Sequence, residues 1–220
     1  MGAARSAAGG QHTSVALVES SAIHRVCAGV ADYGYAVVAD FLSTAIVVAL
    51  AADARRRDAA GAFAPAGIGR AAARHARPDI RGDRILWLDQ TGSDTALHAC
   101  WQALDALRGT LNQTLLLGLF SFEGHYAIYP PGAGYGRHRD RFHDDDARVL
   151  SCVLYLNDGW STQDGGALRL HVDDEERYDV LPVGGTLVCF LSERFEHEVL
   201  PARRERLALT GWFRRRAMPV

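Results

Sequence analysis

Lysine is absent from this chain. Arginine supplies all 24 basic side chains against 26 acids, for a formal net charge of −2. That balance leaves no basic field of the kind nucleic-acid binding needs, and no nucleic-acid partner is expected. Long apolar runs are missing too. The run Ala45–Ala52 falls well short of the ~20 residues of a membrane helix, so no membrane span is expected. The opening residues lack the apolar core of an export signal, which points to the cytoplasm. Cysteine is sparse: Cys27, Cys100, Cys152 and Cys189 are scattered with no CxxC pair. That spacing excludes a zinc ribbon or a disulfide scaffold and predicts buried free thiols. There is no internal repeat and no linker. A chain of 220 residues, 48 % hydrophobic, fits one domain with a sizeable core.

What is present centres on Gly134-Tyr135-Gly136-Arg137-His138-Arg139-Asp140. Alternate side chains of a β-strand share a face, so His138 and Asp140 are expected to point the same way. One imidazole and one carboxylate make two corners of a metal site. A histidine from another strand completes a 2-His-1-carboxylate triad, the pattern of non-haem Fe(II) oxygenases. His-x-Asp alone is weak, because His143/Asp145 and His171/Asp173 match it as well. Those two pairs lie in acidic runs, which are usually solvated. His138 instead lies between the strand-like stretches 125–129 and 149–156. Downstream, His197 and Arg206 flank Pro201-Ala202-Arg203-Arg204, which reads as a turn. A hairpin there would set His197 and Arg206 on neighbouring strands over one cavity. A forked guanidinium beside a metal suits a dicarboxylate, chelated at one end and paired with arginine at the other.

With these residues in view, the chain resembles the prolyl 4-hydroxylase family of Fe(II)/2-oxoglutarate-dependent oxygenases. It is most similar to the bacterial relatives of the hypoxia-inducible-factor prolyl hydroxylases. The likeness extends over Tyr126-Ala127-Ile128-Tyr129-Pro130-Pro131-Gly132, over 151–160, over Asp164-Gly165-Gly166 and 182–188, and over 80–87 upstream. It implies iron ligands His138, Asp140 and His197, and Arg206 as the partner of the distal carboxylate of 2-oxoglutarate. It implies Tyr155 as a second group on that carboxylate, with Tyr129, Thr210 and Trp212 lining the cosubstrate pocket. Arg81, Asp83 and Arg148 match charged positions near the substrate-side loops. The implied cofactors are Fe(II), 2-oxoglutarate and O2, with ascorbate as a reductant. The implied reaction is hydroxylation of a prolyl residue in a protein or peptide, a translation factor by analogy, with release of succinate and CO2. Rival readings are a small-molecule or free amino-acid oxygenase and a non-catalytic cupin-like metal sensor. A zinc hydrolase is a third, but it lacks a general-base glutamate at a recognisable spacing.

The expected fold is mainly β, a double-stranded β-helix (jelly roll) flanked by N-terminal helices. Residues 1–20 are rich in small residues and expected to be poorly ordered, leaving a single oxygenase domain over 21–220. Helical and strand support is expected over 21–120 and the jelly roll over about 121–213. Helices are expected over Val15–Val30, over Thr44–Ala59 after an N-cap at Ser43, and from Ser93 to about Leu107. Eight strands in two four-stranded sheets are expected from His125 to Phe213. Trp87 reads as a core residue, and Arg55-Arg56-Arg57 as a solvated face.

Overall fold

A computed structural model of the chain describes residues 12–68, 75–76, 80–91, 94–140, 147–173 and 175–216. In chain order the elements are α1 (His12–Tyr33), β1 (Tyr35–Val38), α2 (Thr44–Ala59), β2 (Ala64–Pro65), β3 (Gly67–Ile68), β4 (His75–Ala76), β5 (Arg84–Trp87) and α3 (Thr95–Leu115). There follow β6 (Ser121–Tyr129), β7 (Tyr135–His138), β8 (Arg148–Tyr155), β9 (Leu168–His171), β10 (Arg177–Val180), β11 (Leu187–Leu191), β12 (Glu196–Val199) and β13 (Arg206–Arg214).

The eight expected barrel strands are β6 to β13, and they do form two sheets. Four of them, in the order β11-β8-β13-β6, make the centre of a seven-stranded sheet that β1, β5 and β2 extend at its edges. The other four form the sheet β10-β9-β12-β7. Two expectations need correction here. The larger sheet has seven strands rather than four. His197 and Arg206 are not on a hairpin: β12 pairs with β7 and β9, whereas β13 pairs with β6 and β8 in the opposite sheet. The Pro201–Arg204 segment crosses between sheets, held by hydrogen bonds from Gly166 N to Pro201 O and from Gly132 N to Ala202 O.

The large sheet is buried on both faces, which is why its strands read as nearly unbroken apolar runs. Along β8, Leu150, Cys152 and Leu154 enter the layer beneath the helices, whereas Val153 and Tyr155 enter the barrel. On β13, Leu207, Leu209 and Phe213 take the helix side and Ala208 the barrel side. α3 covers the sheet with Leu97, Cys100, Leu104, Leu107 and Leu111, spaced three and four apart as one helical face demands. α2 adds Val47, Leu50 and Ala54, and α1 adds Val26 and Val30. The apolar layer of α2 also contains Asp53, only 1 % exposed. Its carboxylate accepts from Arg57 Nε at 2.8 Å and from the Tyr126 hydroxyl at 3.2 Å, and it meets Arg56 as well. Arg55 and Arg56 are exposed, as a solvated face requires, and Arg56 and Arg57 also hold this buried acid.

Helix boundaries differ in instructive ways. α1 begins at His12, three residues before the expected Val15, and continues to Tyr33. Ser43 occupies the N-cap of α2 without a side-chain cap bond. Ser93 lies outside the described residues. Asp94 caps α3, accepting from Ala96 N and Leu97 N at 3.0 Å. Asn157, after β8, ties two further segments together: its amide donates to Pro182 O at 2.8 Å and its carbonyl accepts from Leu207 N at 2.7 Å. No helix among the described residues is long and apolar enough to cross a membrane.

Phe213 is fully buried between the large sheet and α3, with its ring 4.9 Å from that of Phe122. Phe213→Ala is expected to destabilise the fold by about 3–5 kcal/mol through the cavity it leaves. Urea unfolding would register this as a lower midpoint with an unchanged slope, and a loss under about 1 kcal/mol would contradict the packing described.

Candidate active site

The inner faces of the two sheets line a small, partly open cavity. His138 ends β7, and His197 of β12 is its Cα partner, so the two imidazoles face each other on adjacent strands. Their ring centroids are 4.2 Å apart. Asp140 lies at a bend just beyond β7 and brings its carboxylate between them. Oδ1 is 3.6 Å from His138 Nε2 and Oδ2 is 3.6 Å from His197 Nε2. Among the described residues this is the one group of three metal-donor side chains, with donor atoms within 4.8 Å of one another. His138 and Asp140 share a face, as expected, although the strand itself stops at His138.

The donors are set for a divalent cation. His138 Nδ1 lies 2.7 Å from Gly136 O. A carbonyl only accepts, so Nδ1 carries the proton and the Nε2 lone pair is free. Burial pushes the His197 pKa down to about 4, against the pull of Asp140, so the ring is neutral near pH 7. Burial opposes ionisation of Asp140 as well. The facing imidazoles and the hydroxyl of Ser151 outweigh it and hold the carboxyl well below the usual range. Ser151 donates to Asp140 Oδ2 at 2.7 Å and is within 2.8 Å of the Ser192 hydroxyl. Two imidazoles and one carboxylate are donors that iron(II), manganese and zinc all accept, so the donor set alone does not choose the metal.

Across the cavity stands Arg206, only 2 % exposed. Its Nε donates to Gly166 O at 2.9 Å, while its Nη2 is buried without a hydrogen-bond partner. The Tyr155 hydroxyl is likewise buried and unpartnered. Burial pushes its pKa up to about 12 although Arg206 pulls it down, so it remains a neutral donor. The guanidinium is 5.1 Å from the Tyr155 ring and 5.2 Å from the Tyr129 ring. Two buried donors in one cavity, with no carboxylate among the described residues to receive them, fit a carboxylate supplied by a ligand. The residues therefore fit both parts of the implied set, a divalent metal and a dicarboxylate.

Tyr129, Thr210 and Trp212 line the same cavity. So does Arg81, whose guanidinium forks onto Asp83 at 2.7 and 3.0 Å and sits 4.7 Å above the Tyr135 ring. Asp83 is 3 % exposed and braces Arg81 from behind. Arg148 stays outside the cavity. It stacks on the Trp212 ring at 3.6 Å, donates to Glu123 at 3.0 Å and reaches Asp140 O at 3.5 Å. Trp87 is not core: it is 41 % exposed at the cavity lip, 4.9 Å from His125 and 6.2 Å from Trp212. Of the rival His-x-Asp pairs, His143/Asp145 lies outside the described residues, and His171 binds Glu198 at 3.2 Å.

Sequence reasoning missed Ser151, Tyr135 and Phe190. Tyr135 stacks on His138 at 3.6 Å, and Phe190 lies 4.7 Å from His197. Counting back in twos from Tyr155 puts Ser151 on the cavity face of β8, so that signal was present.

Residues 124–214 match the model of the 2OG-Fe(II) oxygenase superfamily. A prolyl-4-hydroxylase from Pseudomonas putida superposes with a TM-score of 0.80 at 51 % identity, covering 89 % of this chain and 100 % of that one. A Trichoplax adhaerens prolyl hydroxylase, solved with a hypoxia-inducible-factor peptide, gives 0.82 at 25 % identity, covering 93 % and 94 %. Human Egl nine homolog 1 is 34 % identical over 145 residues, 61 % of this chain and 33 % of the human protein. The chain thus spans about a third of the length of that curated relative.

Ser151→Ala removes the hydroxyl on Asp140 and leaves the three donors in place. Metal affinity is expected to fall about 10–100-fold, the usual cost of losing an outer-shell partner. Anaerobic titration with iron(II) would measure it, and unchanged affinity would show that Ser151 does not hold the carboxylate.

Proposed function

The chain belongs to the 2OG-Fe(II) oxygenase superfamily, and we propose that it hydroxylates a prolyl residue in a protein or peptide. The observation that carries this reading is the pairing of two features in one cavity. A His-Asp-His donor set lies on one wall, and a buried, half-unpartnered arginine with a tyrosine lies on the other. A simple metal sensor has no use for the second feature.

When bound, iron(II) with 2-oxoglutarate supplies an O2-driven oxidation that turns the oxo acid into succinate and CO2 and puts one oxygen atom into a substrate C–H bond. In this reading His138, Asp140 and His197 hold the metal and leave part of its coordination free for ligands. Arg206 Nη2 and the Tyr155 hydroxyl bind the distal carboxylate and fix which way the cosubstrate points. Tyr129, Thr210 and Trp212 form the chamber around it. Trp212, propped by Arg148, and Trp87 at the lip exclude water and give the pyrrolidine ring an apolar wall. Arg81, anchored by Asp83, borders the mouth and offers a cation to a polypeptide. Ascorbate is the reductant this family analogy suggests.

A polypeptide substrate is supported by the Trichoplax relative, which was solved with a peptide. A translation factor is the first protein to try. The cytoplasm is the compartment we propose, since four free buried thiols and iron(II) both suit reducing conditions.

The test is succinate formation with prolyl peptides after anaerobic loading with iron(II) and 2-oxoglutarate. Hydroxyproline in the peptide and no turnover by His138→Ala would support the reading; succinate without any modified proline would refute the target. Arg206→Lys keeps the charge and loses the fork. Its KM for 2-oxoglutarate is expected to rise by about thirtyfold or more, since breaking a buried charged pair costs at least ~2 kcal/mol, with iron binding unchanged. An unaltered KM would remove Arg206 from the clamp.

A further inference from the structure

Behind the cavity wall, Cys152 of β8 and Cys189 of β11 face each other with sulfurs 3.1 Å apart. The register explains the approach. The two residues are Cα partners in antiparallel strands. On the same ladder Ser192 N donates to Val149 O and Tyr155 N to Thr186 O. Hydrogen-bonded pairs therefore fall at 149/192, 151/190, 153/188 and 155/186. Cys152 and Cys189 occupy a non-hydrogen-bonded pair between them, where Cα atoms approach to about 4.5 Å and side chains lie closest. A disulfide accepts Cα separations of about 4.4–6.8 Å, so the backbone already meets its requirement.

The position of the pair links it to the centre. The next cross-strand pair is Ser151 and Phe190, which project from the opposite face of the same two strands. Ser151 holds Asp140, and Phe190 packs against His197. Any change in the spacing of β8 and β11 at the cysteines is therefore felt by two of the three candidate ligands. The thiols are 2 % and 0 % exposed, and burial keeps the Cys152 pKa well above its usual value. The pair is thus slow to react and stays reduced until an oxidant persists.

We propose that Cys152 and Cys189 are a redox modification site, closing reversibly to a cross-strand disulfide that lowers the activity of the adjoining centre. The oxidant class is a water-sized peroxide. One sulfur attacks a peroxide oxygen, the O–O bond breaks and one water leaves, giving a sulfenic acid. The second thiol attacks that sulfur, forming the S–S bond and releasing the second water. Two thiols and hydrogen peroxide become one disulfide and two waters, with two electrons passing from sulfur to oxygen. The disulfide stands on geometry alone; its effect on turnover rests on the oxygenase reading.

The test treats the full-length chain with hydrogen peroxide in the presence of a metal chelator and maps its peptides without reduction. The expected result is a Cys152–Cys189 crosslinked peptide that dithiothreitol reverses, with a melting temperature raised by several degrees. It should be absent in Cys189→Ala and retained in Cys27→Ala. After oxidant removal and iron loading, succinate formation should be severalfold lower than in the reduced protein and recover with dithiothreitol. Overoxidation without a crosslink, a crosslink to Cys27, or no reaction would overturn the site. A crosslink with unchanged turnover would overturn the regulatory role. If the reduced protein makes no succinate at all, the oxygenase reading and the regulatory role fail together, and the peptide map still judges the disulfide. Should Cys189→Ala fail to fold, the wild-type map decides.

Discussion

A buried cation that no acid among the described residues neutralises is expensive, and Arg206 is one. Its Nη2 sits inside the barrel with no partner, beside a Tyr155 hydroxyl in the same condition. Removing such groups from water costs several kcal/mol unless charge and hydrogen bonds are matched. Natural cores rarely retain groups of that kind without use. Here the surrounding strands hold them in place. β13 carries Arg206 between β6 and β8, Gly166 O fixes Nε, and the rings of Tyr129 and Tyr155 wall the guanidinium. The stability for this comes from elsewhere, chiefly from the apolar layer between the large sheet and the helices. The fold keeps a polar chamber on one face of the sheet by burying the other face thoroughly.

The metal side is organised from both sheets. His138 and His197 belong to the small sheet, while Ser151, which fixes the carboxylate of Asp140, belongs to the large one. Arg148 adds a second tie, joining Asp140 O to the Trp212 ring and Glu123. The donor set is therefore a joint between sheets, and its geometry depends on the barrel remaining closed.

Much of this was legible in the residues. His138 and Asp140 share a face because of strand periodicity, and Arg206 stood out by following His197 closely on a strand-like run. The eight barrel strands appeared where alternating and apolar runs placed them. The crossing at Pro201–Arg204 was misread because turn chemistry reports a change of direction and not which sheet the chain enters next. Trp87 was taken for core because large aromatics usually are, yet β5 runs along the cavity mouth and turns its indole to the lip. Ser151 was hidden in an apolar strand, where only its phase relative to Tyr155 marked it.

The most direct test of the account compares two ligands under anaerobic conditions with iron(II) present: 2-oxoglutarate and 2-oxopentanoate, which lacks only the distal carboxylate. If Arg206 and Tyr155 are a carboxylate clamp, the second should bind at least about thirtyfold more weakly, the cost of leaving a buried charge unpaired. Equal affinity for the two would mean that the buried guanidinium serves no dicarboxylate and would contradict the assignment on which the rest depends.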